Sequence, residues 1–149
     1  MAEINIPQAE ADHLLAMEKH YVEVGQLTFP PAGERILIPL ISSDRRESFA
    51  LDVTRSQIKL TKATYQTRAR QVVILLRLDI DGPPHRNPDD EEIPCPHIHF
   101  YREGFGDKWA FPAPPERYSD IGDLARTLDS FMEHCNVTLP PMVQRGLFS

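Results

Sequence analysis

Two histidines two residues apart, His97 and His99 in the run Cys95-Pro96-His97-Ile98-His99-Phe100-Tyr101-Arg102-Glu103-Gly104, are the side chains of this sequence best placed to do chemistry. A strand repeats its side-chain direction every two residues, so both imidazoles face one way while Ile98 and Phe100 face the other. One face of such a strand is chemical and the opposite face is core. Neutral imidazole is a common metal ligand, and its ordinary pKa near neutrality also makes it a general acid or base at physiological pH. His85, in Gly82-Pro83-Pro84-His85-Arg86-Asn87-Pro88-Asp89, brings three of the six histidines within fifteen residues. Glu103, Asp107, Lys108 and Trp109 follow at once and offer two carboxylates, a cation and an aromatic ring to the same site or its rim.

Three chemistries use these groups. In metal binding, the spacing His97-x-His99-x-x-x-Glu103 resembles the first motif of the cupins, whose two histidines and glutamate hold a metal inside a β-barrel. Glu91 stands where that motif carries glycine, and no second motif follows residue 103, so a metal site here has another design, with His85 as third ligand. In metal-free RNA cleavage, one group takes the 2′-hydroxyl proton, another protonates the leaving oxygen and a cation steadies the charge on phosphorus. His97 and His99 serve as base and acid, Arg77 with Lys62 or Arg68 clamps the phosphate, and Tyr101 shares the histidine face. In a non-catalytic module, Gly82-Pro83-Pro84-His85 and Gly104-Phe105-Gly106-Asp107-Lys108-Trp109 form the rim of a ligand pocket.

The expected fold, with an N-terminal helix before an antiparallel sheet, looks like that of toxin endoribonucleases. The leading expectation is therefore a small endoribonuclease of toxin type, acting on RNA without a cofactor and partnered by a protein such as an antitoxin. The alternative is a ligand- or protein-binding module of phage defence or counter-defence. The third is an enzyme that holds a divalent metal on the histidine cluster.

Composition bounds these readings. A chain of 149 residues with 41% hydrophobic residues is expected to form one domain able to bury its own core. Two cysteines without a Cys-x-x-Cys exclude a Cys-rich structural zinc site. Residues 1–7 lack the pattern of a signal peptide, and no window approaches the ~18 apolar residues of a membrane span, which points to the cytoplasm and away from membranes. The net charge of −6 is unevenly spread. Between Asp44 and Arg86, nine basic residues face five acidic ones, whereas the rest holds seven basic and seventeen acidic. That asymmetry fits a face for a phosphate-bearing partner, and equally the solvated face of a sheet.

The elements that must position these residues read as follows. Apolar residues at helical spacing predict a helix from Pro7 to about Val22. Arg35–Ile41 is a short apolar strand that Pro39 assigns to an edge or a bulge. From Ser42 to Asp81 the period becomes two, with strands through Phe49–Thr54, Ile58–Thr61 and Val72–Leu76 joined as antiparallel hairpins. Asp81–Pro96 is an exposed loop that returns the chain beside its starting strand and brings His85 near His97 and His99. After the extended Phe111–Pro115, Ser119 or Asp120 caps a helix with the stripe Ile121, Leu124, Ala125, Leu128, Phe131, Met132 and Cys135. The residues after Val137 form a short end. The fold class is α+β, with five or six antiparallel strands, an N-terminal helix and a C-terminal amphipathic helix packed on one sheet face.

Two segments, Arg77-Leu78-Asp79-Ile80-Asp81-Gly82-Pro83-Pro84-His85-Arg86-Asn87-Pro88-Asp89 and Pro96-His97-Ile98-His99-Phe100-Tyr101-Arg102-Glu103-Gly104-Phe105-Gly106-Asp107-Lys108-Trp109-Ala110, resemble an uncharacterised family of small bacterial proteins. That resemblance implies a bacterial or phage source and carries no activity with it.

Overall fold

The strand that carries His97 and His99 lies second from the edge of a large mixed sheet. The computed structural model describes residues 4–23 and 25–145. In chain order the elements are α1 (Gln8–Ala16), β1 (Lys19–Tyr21), β2 (Gln26–Thr28), β3 (Arg35–Ser42), β4 (Ser48–Arg55), β5 (Ala63–Ala69) and β6 (Val73–Ile80). Then come β7 (His85–Arg86), β8 (Glu92–Ile93), β9 (His97–Arg102), β10 (Gly106–Pro112), α2 (Leu124–His134), β11 (Val137–Leu139) and β12 (Met142–Gln144). The eight-stranded sheet runs β10-β9-β6-β5-β4-β3-β1-β11, antiparallel throughout except for the β1–β11 pair. Two small pairs, β2 with β12 and β7 with β8, complete the described strands.

Period-two alternation divides this sheet into two chemically distinct faces. On one, Leu51, Val53, Ala63, Tyr65, Thr67, Leu78 and Ile98 are all buried, and α2 lies against them with Leu128, Phe131 and Met132. Tyr65 stacks at 6.0 Å on Phe131, and its hydroxyl donates to the Leu124 carbonyl at 2.7 Å. Helix α2 starts at Leu124 because the Asp123 side chain accepts from the Arg126 amide. The cap is thus Asp123 and not Ser119 or Asp120, and Ile121 precedes the helix. On the other face stand Thr64, Gln66, Arg77, Asp79, His97 and His99, in register across β5, β6 and β9.

Several expectations are corrected. Helix α1 stops at Ala16, because Met17 turns extended and the buried Lys19 ammonium donates back to the carbonyls of Leu15 and Met17 and across to Cys135. Strand β3 is internal, yet Pro39 is tolerated for a geometric reason. Its carbonyl, and hence its nitrogen, faces the side of β1, where β1 ends at Tyr21 and only the Val22 amide reaches across. The segment holding Ile58 and Leu60 is a turn and not a strand: Ser56 Oγ accepts the amides of Ile58 and Lys59, and the Arg55 guanidinium binds the Leu60 carbonyl. Both side chains are exposed there. The residues from Val137 on add a parallel strand to each of two sheets, and with β1, which lies in the segment expected to be helical, β11 brings the large sheet to eight strands.

The Asp81–Pro96 connection is not wholly exposed either, since it forms the β7–β8 hairpin and buries Asn87 and Ile93. Asn87 imitates a strand: its Oδ1 accepts from the Ala110 amide at 2.8 Å, and its Nδ2 donates to the Ala110 carbonyl at 2.9 Å. With His85 Nε2 donating to the Lys108 carbonyl at 2.7 Å, the connection is strapped to alternate residues of β10. This strap roofs the histidine face. None of the described helices is long and apolar enough to cross a membrane.

Candidate metal centre

Register builds the site from two lateral rows. Thr64, Asp79 and His97 face one another across β5, β6 and β9, and Gln66, Arg77 and His99 form the next row. Lateral neighbours on one face stand close enough for their side chains to meet. His97 Nε2 and His99 Nε2 each lie 3.0 Å from Asp79 Oδ2, and the three atoms fall within 4.8 Å of one another. Thr64 Oγ1 donates to the other Asp79 oxygen at 3.1 Å.

The far nitrogens decide what these contacts mean. His99 Nδ1 lies 2.8 Å from the Asp107 carbonyl, and His97 Nδ1 lies 3.2 Å from the Ile93 carbonyl. A carbonyl only accepts, so both Nδ1 atoms carry hydrogen, and in a neutral ring each Nε2 then presents a bare lone pair. Two lone pairs and a carboxylate oxygen converge, an arrangement relieved by a cation or by a proton on one Nε2. Arg77 supplies part of one: its Nη2 lies 3.2 Å from Asp79 Oδ2 and 3.0 Å from His99 Nε2, while its Nη1 is held by Asp107 at 2.6 Å. It reaches two of the three atoms. Burial opposes ionisation of Asp79, but the polar contacts with the His97 and His99 rings and the Arg77 charge outweigh it and hold the carboxyl far below its usual range.

A cavity of about 510 Å³ opens beside this centre, lined among others by Lys62, Thr64, Gln66, Arg77, Asp79, Gly82, His85, Cys95 and His97. His99 is wholly buried behind it. The His85 ring sits 4.6 Å from that of His99 and 5.9 Å from that of His97, so the three histidines do cluster. Because His85 spends its Nε2 on the Lys108 carbonyl, it forms a wall beside the centre rather than part of the converging set. Cys95 Sγ points to the Pro83 carbonyl at 3.7 Å, and burial pushes its thiol up.

Other expected site residues have structural engagements. Tyr101 is on the histidine strand, but its hydroxyl takes the Ile6 amide and donates to the Ile6 carbonyl, both at 2.7 Å, which pins the segment before α1. Arg68 closes on Asp52 and the Gln71 carbonyl. Glu103 accepts from the Gln8 amide at 2.7 Å and so stands outside the converging set. Lys108 contributes its carbonyl to His85 and leaves its side chain in solvent. Trp109 lies under the Arg102 guanidinium at 4.8 Å and against Phe105 at 5.9 Å, away from the cavity.

Two residues that build the centre and its roof escaped the sequence reading. Asp79 was visible only as an acid near the end of a strand, although Arg77-x-Asp79 and His97-x-His99 are matching i, i+2 pairs on strands that the connecting loop returns side by side. Asn87, in the same loop, gave no signal, because a buried side-chain amide pairing with a strand edge has no local pattern.

Comparison with curated proteins and with solved structures finds no match. A model of the family of unknown function DUF6978 matches residues 6–137, covering both histidine segments, and the chain belongs to that family.

Proposed function

We propose that this protein is a metal-dependent enzyme that hydrolyses a phosphate-bearing substrate, with Asp79, His97 and His99 as the ligands of one divalent transition ion. The observation that carries the reading is the pair of Nδ1–H anchors, which aims both Nε2 lone pairs at Asp79 Oδ2. Histidines that bind metal characteristically donate their other nitrogen to a carbonyl or carboxylate in this way. Adjacent ligand atoms on an ion with bonds of ~2.1 Å at right angles lie ~3.0 Å apart, which matches both nitrogen-to-carboxylate separations, while the three atoms span up to 4.8 Å, so the two nitrogens must draw together for both to bind. Two histidines and one carboxylate would leave such an ion open positions, and the ion would supply Lewis-acid activation of water and substrate there. Lys62 stands on the cavity wall with no carboxylate partner among the described residues, and Arg77 is the second cation there. The test is turnover of a chromogenic phosphodiester with zinc or manganese added. Activity should appear with metal, vanish with chelator, and fall by at least ~10²-fold in His97→Ala.

A second reading is metal-free cleavage of RNA by acid–base catalysis. It is favoured by Arg77, which already bridges Asp79 and His99 as a built-in cation. RNA cleavage that persists in chelator and is lost in His97→Ala would select it. A protein that turns over neither substrate yet keeps its cavity would be the binding module.

A further inference from the structure

A second cavity, of about 320 Å³, lies at the start of α2 and is lined by Phe29, Arg55, Leu60, Leu124, Ala125 and Arg145, with Thr61, Gly122 and Asp123 completing its wall. Arg55 is 6% exposed, and its Nε is buried with no hydrogen-bond partner. Its terminal nitrogens donate only to carbonyls, those of Pro30 and Leu60, and its guanidinium lies 5.5 Å from the centre of the Phe29 ring. A buried guanidinium is expected to have an anionic counterpart, and Arg55 meets no carboxylate among the described residues. The helix supplies the rest of a cradle. Asp123 caps the amide of Arg126 with its side chain and that of Thr127 with its carbonyl, while the amides of Leu124 and Ala125, at the positive end of an eleven-residue helix, have no intrahelical acceptor. The one carboxylate on the wall, Asp123, is answered by Arg145 at 2.6 Å.

We infer that this cavity binds the phosphate group of a small phosphate monoester, between buried Arg55 and the free amides of α2. Guanidinium and helix amides are the two protein groups best suited to a phosphate, and water is largely excluded from Arg55. Leu60, Leu124 and Ala125 leave an apolar margin for a substituent on the phosphate. The site is independent of the Asp79 centre and its cavity.

The experiment is isothermal titration of the protein with phenyl phosphate and with inorganic phosphate, repeated on three variants. Saturable binding should weaken at least about tenfold in Arg55→Met. Leu124→Pro is the second variant, because proline suits the first helical position and removes one amide donor. Asp123, with φ −91° and ψ 98°, already has the extended backbone that a residue before proline prefers, so this variant should fold even if Arg55→Met does not. It should weaken binding several-fold. Lys62→Ala removes a cation of the other cavity and so separates any binding there from this site, whose affinity it should leave unchanged. Tighter binding of phenyl phosphate identifies an ester as the ligand class, and equal binding identifies free phosphate. No saturable binding of either, or binding lost in Lys62→Ala and kept in Leu124→Pro, would overturn the proposal.

Discussion

Asp52 and Asp79 stand on the same face of the sheet, two strands apart, and both are held ionised. Asp52 meets permanent donors: Arg68 Nε at 2.6 Å, Arg68 Nη2 at 3.0 Å and Gln66 Nε2 at 2.9 Å. These contacts outweigh the burial that opposes its charge, and nothing further is needed. Asp79 has permanent donors too, Arg77 Nη2 at 3.2 Å and Thr64 Oγ1 at 3.1 Å, but it also meets two imidazole nitrogens whose partner nitrogens have already spent their hydrogens on carbonyls. The first carboxylate is closed and structural, whereas the second is open to a cation. Partner type, rather than charge or burial, separates a site from an ion pair on this sheet. The same distinction accounts for part of the basic bias between Asp44 and Arg86. Arg68, Arg70, Arg77, Lys59 and Arg86 each face a carboxylate, which leaves Lys62 as the cation available at the first cavity among the described residues.

The largest effect is expected where the comparison is sharpest. Asp79→Asn should abolish metal retention and lower turnover by at least ~10²-fold while the protein stays folded, because one ligand oxygen becomes an amide. Retained metal and turnover in that variant would break the distinction.

Next in size is the packing beneath the opposite face. Leu128 is fully buried against the sheet, so Leu128→Ala should cost ~2–5 kcal/mol, read from urea midpoints at constant m. An unchanged midpoint would mean that α2 is not the lid of the core.

A smaller effect is a pH dependence on that face. Burial first, and the Arg117 charge second, bring His134 down to about 4, and Tyr118 donates to its Nδ1 or accepts from it at 2.8 Å. The native state refuses a proton that the unfolded chain takes up below its ordinary value of about 6.5. The stability is therefore full above that value and is lost as pH falls towards about 4, by ~1–2 kcal/mol once partial exposure is allowed for. His134→Gln should flatten that part of the stability profile. A profile that keeps its slope in His134→Gln would assign it elsewhere.

The smallest effect is expected at the closed pair. Asp52→Asn should cost about 1 kcal/mol in the same unfolding assay and leave metal content untouched. Loss of metal there would show that the two carboxylates are coupled.

Much of this was legible in the residues. Period two placed His97 and His99 on one face with Ile98 buried opposite, and the apolar stripe of α2 announced its packing. The Asp81–Pro96 connection, too polar and Pro-rich to be core, points to a return of the chain beside its starting strand, and β9 does pair with β6. What stayed hidden depends on contacts between distant segments. Lys19 ends α1 by binding the Cys135 carbonyl, and Asn87 imitates a strand against Ala110. Asp79 becomes a site residue only through its register with His97. Tyr101 and Glu103 misled for the same reason, since their partners lie at Ile6 and Gln8, more than ninety residues away. The fold class was readable from patterns within each segment, while the site needed the pairing between segments.

The most direct test of the open carboxylate is the metal itself. Protein purified without added metal, then equilibrated with one equivalent of zinc and dialysed, should retain close to one ion per chain by elemental analysis. Its melting temperature should rise with zinc and fall back with chelator, because an ion bound only by the native state stabilises it by about 2.7 kcal/mol at a hundredfold excess over Kd. Asp79→Asn should show neither the ion nor the shift. A parent protein that retains no metal and melts at the same temperature with zinc, manganese or chelator would contradict the assignment of Asp79, His97 and His99 as a metal centre.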